Sequence, residues 1–318
     1  MRSARLSGVV PVLQTPFDET GAVDEPTLQD EVQWVFECGA DGVALAMVSE
    51  VLRLEQSERR SLAAAVCTAA ASKGPVVVSV GAESTRVAVA LAEHAQSVGA
   101  AALMAIPPLA VVAIDRELEQ YYSAIFAATD LPLVVQDASG YVGSAVPLPV
   151  LQRLQDRYGE RVYFKPEAQP LGPRLSALLE ATGGAARAFD GSGGVALVDS
   201  YRRGVVGSMP GAEVCWAIVR LWEALCRGED DDAYRVSLPL AALLALQVGL
   251  DGYVAVEKYL LAKQGIFTSQ AQRGPVGFIL DKQTMAQADR LLGLLADACE
   301  WELTSDRDRP ERGKSALI

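Results

Sequence analysis

Eight short, continuously apolar runs recur along this chain, separated by amphipathic stretches, and that alternation leaves few folds open. The runs cover 8–13, 42–47, 75–80, 102–106, 131–136, 162–165, 186–189 and 205–208. Apolar side chains at successive positions, rather than at every second one, mark parallel strands buried on both faces. Between the runs lie segments of helical periodicity, such as 26–38, 84–98, 115–129, 148–158 and 173–181. Several end near Gly39, Gly74, Gly99, Gly159 and Gly183, which predicts a left-handed residue after each helix. Eight strand–helix units predict an α/β fold, a (β/α)8 TIM barrel. A doubly wound sheet would carry a glycine-rich turn after its first strand; the chain has Gln14-Thr15-Pro16-Phe17 there.

After the eighth run the pattern becomes all-helical, over 213–226, 231–247, 253–264 and 282–299. This predicts a barrel over 1–228 with a C-terminal helical extension over 229–304. The charged, proline-containing segment 305–318 is expected to be a disordered tail.

Composition narrows the function. The net charge of −12, with no basic patch, argues against a nucleic-acid partner. The longest apolar stretch, 238–250, is too short and interrupted to span a bilayer, and the N-terminus has no signal-peptide pattern. Five scattered cysteines without a C-x-x-C pair read as buried thiols of a cytoplasmic protein. A single histidine, His94, on a polar helical stretch, makes a Ser-His-Asp triad or a multi-histidine metal site very hard to build. The chemistry is therefore expected to run on lysine, carboxylates, hydroxyls and backbone amides, with no metal and no organic cofactor.

Barrel enzymes carry their active residues at the C-terminal ends of strands. Those ends present Thr15, Ser49 and Glu50, Glu83, Gln136 and Asp137, Lys165 and Glu167, Asp190 to Gly194, and Ser208. Lys165, in Val162-Tyr163-Phe164-Lys165-Pro166-Glu167, stands out. Burial disfavours the ammonium form, and a neutral amine attacks carbonyl groups, so a lysine at a strand end is a candidate Schiff-base former. The plain alternative is an ion pair with Glu167. Glu50 reads either as the anchor of its loop or as a group acting on substrate. Gln136 can hydrogen-bond a substrate oxygen but cannot shuttle a proton. Asp137 and Glu167 could act as acid or base, or simply pair with an arginine. The Asp190-Gly191-Ser192-Gly193-Gly194 segment allows close approach of backbone amides to an anion.

These residues resemble the dihydrodipicolinate synthase/N-acetylneuraminate lyase family of class I aldolases. The resemblance spans most of 6–300. It rests on Gly8-Val9-Val10-Pro11 with Thr15-Pro16-Phe17, on Ser49-Glu50, Leu54 and Glu58-Arg59, on Phe164-Lys165, and on Arg203-Gly204-Val205-Val206-Gly207-Ser208-Met209-Pro210. It implies a lysine Schiff base at Lys165 with pyruvate or another 2-oxo acid. The derived enamine then attacks an aldehyde, expels one, or loses water. It also implies a homodimer or homotetramer.

The departures from the family pattern are specific. The motif G-[ST]-T-G-E, which binds the 2-oxo acid carboxylate, reads Ala46-Met47-Val48-Ser49-Glu50 here. Gln136 stands where the family has its proton-relay tyrosine, the family's P-Y-Y motif reads Pro107-Pro108-Leu109 and so loses the tyrosine often lent across a subunit interface, and Tyr141 is the approximate counterpart of a substrate-binding arginine. The leading expectation is a diverged Schiff-base lyase. Lys165 is its nucleophile, Gln136 and Ser208 hydrogen-bond substrate oxygens, and Glu50 holds the second-strand loop. Met47, Val48, Ser49, Asp137, Tyr141, Glu167, Asp190 and Gly191 stand around the substrate. The competing expectations are a metabolite-binding barrel without turnover and a barrel holding a phosphate ligand at 190–194.

Overall fold

The computed structural model describes residues 5–303, and the tail expected at 305–318 lies outside the described residues. Strands form at the eight apolar runs: β1 (Gly8–Val9), β2 (Val43–Leu45), β3 (Val76–Ser79), β4 (Ala102–Ala105), β5 (Leu133–Asp137), β6 (Val162–Pro166), β7 (Phe189–Asp190) and β8 (Gly207–Ser208). Between them lie α1 (Glu25–Glu37), α2 (Gln56–Ala69), α3 (Thr85–Ser97), α4 (Asp115–Ala128), α5 (Leu148–Tyr158), α6 (Leu171–Ala181) and α7 (Leu197–Arg203). The chain continues through α8 (Cys215–Arg227), α9 (Asp230–Leu244), α10 (Gly249–Lys263) and α11 (Lys282–Cys299).

All strand pairs are parallel, in the orders β2-β3-β4-β5-β6 and β1-β8-β7. Single bridge pairs, Val12 with Ala44 and Phe164 with Ala188, link the two sheets at both seams, so the strands succeed one another around a TIM barrel. Side chains alternate across each strand with period 2. One parity fills the barrel: Val12, Ala44, Val77, Met104, Val134, Tyr163, Phe189 and Met209 belong to one buried cluster. The other parity, with Val43, Val78, Leu103, Val135 and Phe164, packs against the helices. This parity decides which strand-end side chains can reach the mouth. Gln136 and Lys165 continue the inward sets of Val134 and Tyr163, and the register pairs them directly.

Local chemistry sets the helix ends. Asp24 caps α1 by accepting from the Thr27 N–H (3.2 Å) and hydroxyl (2.6 Å), with proline in the first turn. Gly39, Gly99, Gly159 and Gly183 adopt positive φ as expected, but Gly74 does not. Ser72 takes the left-handed conformation after α2, and Gly74 is instead wedged where a side chain would strike Phe36 and the Asp41 carbonyl. The cysteines also differ from the expectation. Cys38 and Cys215 are buried, Cys67 and Cys299 are half-buried, and Cys226 is exposed.

The C-terminal helices do more than cover the barrel. α10 is buried around most of its circumference, from Val254 to Leu261, and packs on the turn made by Met47–Ser49 beyond β2. It thereby brings two ionisable residues, Glu257 and Lys258, against the barrel mouth. No single described helix is long and apolar enough to cross a membrane.

Candidate active site

Lys165 lies at the mouth end of β6 with only 4% of its surface exposed. Its Nζ is 3.4 Å from Oε1 of Glu167, which is itself 2% exposed. Glu167 is held from three sides. Its Oε1 accepts from the Ser192 N–H (2.7 Å), and its Oε2 accepts from Gln136 Nε2 (2.7 Å) and from the Tyr141 hydroxyl (3.0 Å). Gln136 also donates to the Tyr141 oxygen (3.1 Å). Three donors and the Lys165 amine surround this carboxylate, which fixes its position for contact with Lys165. Burial and the adjacent Glu167 charge push the Tyr141 hydroxyl well above the usual tyrosine range, so it stays a donor.

These groups line a small cleft at the barrel mouth. Val12, Met47, Val48 and Met209 form its apolar wall. Ser192, Gly193 and Gly211 contribute backbone, and Tyr253 and Glu257 enter from α10. Gly191 backs the arrangement, because a side chain there would run into the Glu167 carboxylate.

Several residues named from the sequence serve elsewhere. Asp137 has the opposite parity to Gln136. Its carboxylate accepts from Ser139 Oγ (2.6 Å) and the Val146 N–H (3.1 Å) and pairs with Arg174 (3.4 Å), so it shapes the loop after β5 rather than touching the cleft. Ser49 is spent on the turn: its hydroxyl donates to the Leu13 carbonyl and accepts from the Ala46 N–H. Glu50, in the left-handed conformation, pairs with the buried Lys258 and accepts from the Arg273 N–H (2.7 Å). It anchors the loop and lies outside the group that lines the cleft. Asp190 and Ser208 pair in register on β7 and β8, with parity opposite to Phe189 and Met209, and neither lines the cleft. Burial pushes Asp190 up to about 7, opposed by hydrogen bonding to Ser200, with the Glu167 charge adding to the rise and Lys165 opposing it. The 190–194 segment spends its Ser192 N–H on Glu167, so that amide is not open to a phosphate ligand. The helix that follows begins only at Leu197.

The α10 contribution was not anticipated. Glu257 is 1% exposed, and its Oε2 accepts from Gln14 Nε2 (2.8 Å). Glu213 and Glu31 stand close by. Glu213 accepts from Gln247 Nε2 (2.9 Å), Glu31 accepts from the Gln14 N–H (3.0 Å), and a second oxygen of each is buried without a partner. Burial raises Glu31 and Glu257 well above the carboxylate range and Glu213 to about 7. A sequence signal existed: Glu257-Lys258 sits inside Tyr253-Val254-Ala255-Val256 and Tyr259-Leu260-Leu261, a helix apolar on all sides. Among the described residues no group of three or more side chains is arranged to hold a metal ion.

Comparison with known proteins fits this geometry. The model of the dihydrodipicolinate synthetase family matches residues 5–291. An L-2-keto-3-deoxyarabonate dehydratase of Azospirillum brasilense is 30% identical over 280 residues, 86% of this chain and 89% of that protein. A 4-hydroxy-tetrahydrodipicolinate synthase of Bartonella quintana is 28% identical over 276 residues, 85% of this chain and 92% of the other. The crystal structure of dihydrodipicolinate synthase from Rhodopseudomonas palustris shares the fold, with a TM-score of 0.83 and 24% identity, covering 92% of this chain and 98% of that one. From the match along nearly its whole described length, this chain belongs to the dihydrodipicolinate synthetase family and is a lyase.

Proposed function

We propose that the protein is a Schiff-base dehydratase of a 2-keto-3-deoxy sugar acid or a similar 4-hydroxy-2-oxo acid. The observation that carries this reading is the Lys165–Glu167 pair, 3.4 Å apart and both buried. A lysine must lose a proton before it attacks a carbonyl carbon, and Glu167 is placed to take it. Lys165 Nζ adds to C2 of the 2-oxo acid, and Glu167 returns the proton it took to the departing C2 oxygen, so that water leaves and the iminium forms with the carboxylate regenerated. The iminium acidifies C3, and the same carboxylate removes the C3 proton to give an enamine. The enamine then expels the hydroxyl from C4, forming a C3=C4 bond, and hydrolysis frees Lys165. Gln136 and Tyr141 keep Glu167 aimed through these steps.

The substrate carboxylate is assigned to backbone N–H groups of the turn at Met47 and Val48, since the Ser49 hydroxyl is committed to Leu13 and Ala46. The small cleft with one apolar wall suits an acid of a few carbons. The similarity to a keto-deoxy-acid dehydratase over most of both chains supports the same class of reaction. A retro-aldol cleavage would use the same iminium, with the base taking the C4 hydroxyl proton instead.

Borohydride trapping followed by intact-mass spectrometry tests the reading, with pyruvate and a panel of 4-hydroxy-2-oxo acids as probes. Wild-type protein should gain one reduced adduct per chain, and Lys165→Ala should gain none. Products from the hydroxy acids should show loss of water rather than carbon–carbon cleavage. Folded wild-type protein that traps no 2-oxo acid would instead fit a barrel that binds metabolites without turnover.

A further inference from the structure

We propose that Glu257, supplied by α10, is the general acid that protonates the departing C4 hydroxyl. This rests on the lyase reading above and assigns the source of the proton that leaves with the C4 hydroxyl. Glu167 holds the proton it took from C3 at that point, but its two oxygens are engaged by the Ser192 N–H, Gln136 Nε2 and the Tyr141 hydroxyl beside Lys165, which keeps it on the C2–C3 side of the cleft. Tyr141 spends its proton on Glu167. Glu257 lines the same cleft as Lys165 and is fixed by Gln14 Nε2 at 2.8 Å. Its neighbour across Gly211 is Glu213, and a side chain at Gly211 would collide with both carboxyl groups. Two carboxyl groups at such close range cannot both ionise, so the pair retains a proton.

The surroundings of Glu257 are these. From α10 come Tyr253 and the adjacent Lys258; from the loop after β5, Tyr141; from α1, Glu31; from the segment after β8, Glu213; and from β6 and its end, Lys165 and Glu167, which line the same cleft. Burial and the Glu213 and Glu31 charges hold the Glu257 proton on, while Gln14 and Lys165 oppose them. The step balances. The enamine pushes its electrons to C3=C4, the C4–O bond breaks, the Glu257 proton goes to the leaving oxygen, and water departs. Glu257 is left as a carboxylate and regains a proton through Glu213 or solvent, while Glu167 releases the proton it took from C3. The unpartnered second oxygen of Glu213 provides the acceptor site for that exchange.

The test compares two leaving groups. 4-Hydroxy-2-oxobutanoate needs a proton on departure; 4-chloro-2-oxobutanoate expels chloride without one. Glu257→Gln should slow elimination from the hydroxy acid by roughly 10²–10⁴-fold. It should leave elimination from the chloro acid, and borohydride trapping with pyruvate, within about threefold of wild type. In the wild-type enzyme alone, the hydroxy-to-chloro rate ratio should fall as pH rises through the ionisation of the Glu213–Glu257 pair. That measurement needs no variant to fold. Equal slowing of both substrates by Glu257→Gln, or a pH-independent ratio in wild type, would overturn the assignment while trapping with pyruvate kept the lyase reading intact. Failure of the wild type to trap pyruvate would overturn both.

Discussion

Replacing Glu167 by glutamine should lower turnover of a 4-hydroxy-2-oxo acid by roughly 10²–10⁴-fold, while Lys165, giving its proton to solvent instead, still forms a trappable adduct with pyruvate, more slowly, on prolonged incubation. The side chain is nearly isosteric, so the cleft keeps its shape. The amide cannot take a proton from Lys165 or from C3. It also mispairs: three groups now donate to the two carboxylate oxygens, namely Ser192 N–H, Gln136 Nε2 and the Tyr141 hydroxyl. An NH2 placed on either side meets a donor where an acceptor stood. The direct measurement is exchange of the pyruvate methyl protons for deuterium in D2O, followed by NMR, because exchange reports C3 proton removal without any leaving group. Wild-type protein should catalyse it, Glu167→Gln should lose it, and Glu257→Gln should keep it. Tyr141→Phe should cost far less, roughly tenfold, since it removes one charge-assisted hydrogen bond and leaves the base. Exchange by Glu167→Gln within about threefold of wild type would show that another group moves the proton.

Much of this was legible in the chain, and the boundary of legibility is physical. The strands could be read because both of their faces are buried, which writes continuous apolar runs into the sequence. Lys165 could be read because a charge ends such a run. Strand parity was also available: Gln136 lies two residues from Val134 and Asp137 does not, so the inward residue could have been separated from the outward one without coordinates. The same argument separates Met209 from Ser208. The partnership of Tyr141 with Glu167 was beyond reach, because it depends on how the loop after β5 folds back over the mouth. So was the carboxyl cluster of Glu31, Glu213 and Glu257. Its members come from α1, the β8–α8 connection and α10, and only the packing of α10 on the barrel brings them together. Glu257-Lys258 within an apolar helix was visible as an anomaly, but not its destination.

Lys258 leads to the second large effect: Glu50→Ala should destabilise the fold by roughly 3–5 kcal/mol, the usual cost of stranding one partner of a buried ion pair. Lys258 is fully buried. Its ammonium is held by Glu50, by the Ala271 carbonyl at 2.6 Å and by the Phe17 ring at 4.4 Å. The other Glu50 oxygen accepts from the Arg273 N–H, and the Arg273 guanidinium makes two 2.9 Å contacts to Glu58. One carboxylate therefore joins the loop after β2, α10, the 271–273 segment and, through Arg273, α2. Without it the melting temperature should fall by on the order of 10 °C. The deficit should have a characteristic pH dependence. Burial already pushes the Lys258 pKa down, and Glu50 is the largest influence holding it up. In the variant, between the lowered Lys258 pKa of the folded protein and about 10.4, the folded protein binds fewer protons than the unfolded chain, so its stability rises with pH and the gap to wild type narrows. Removing both charges, as Glu50→Leu with Lys258→Met, should recover most of the loss, because the desolvation cost disappears with the pair. Thermal melts across pH distinguish these outcomes; a Glu50→Ala protein that melts within about 2 °C of wild type would mean that Ala271 and Phe17 suffice to hold the ammonium. Because Glu257 directly precedes Lys258, any shift of α10 in Glu50→Ala also moves the acid wall of the cleft. Its turnover should therefore fall even at temperatures where the chain remains folded, whereas the apolar pair should restore both stability and rate.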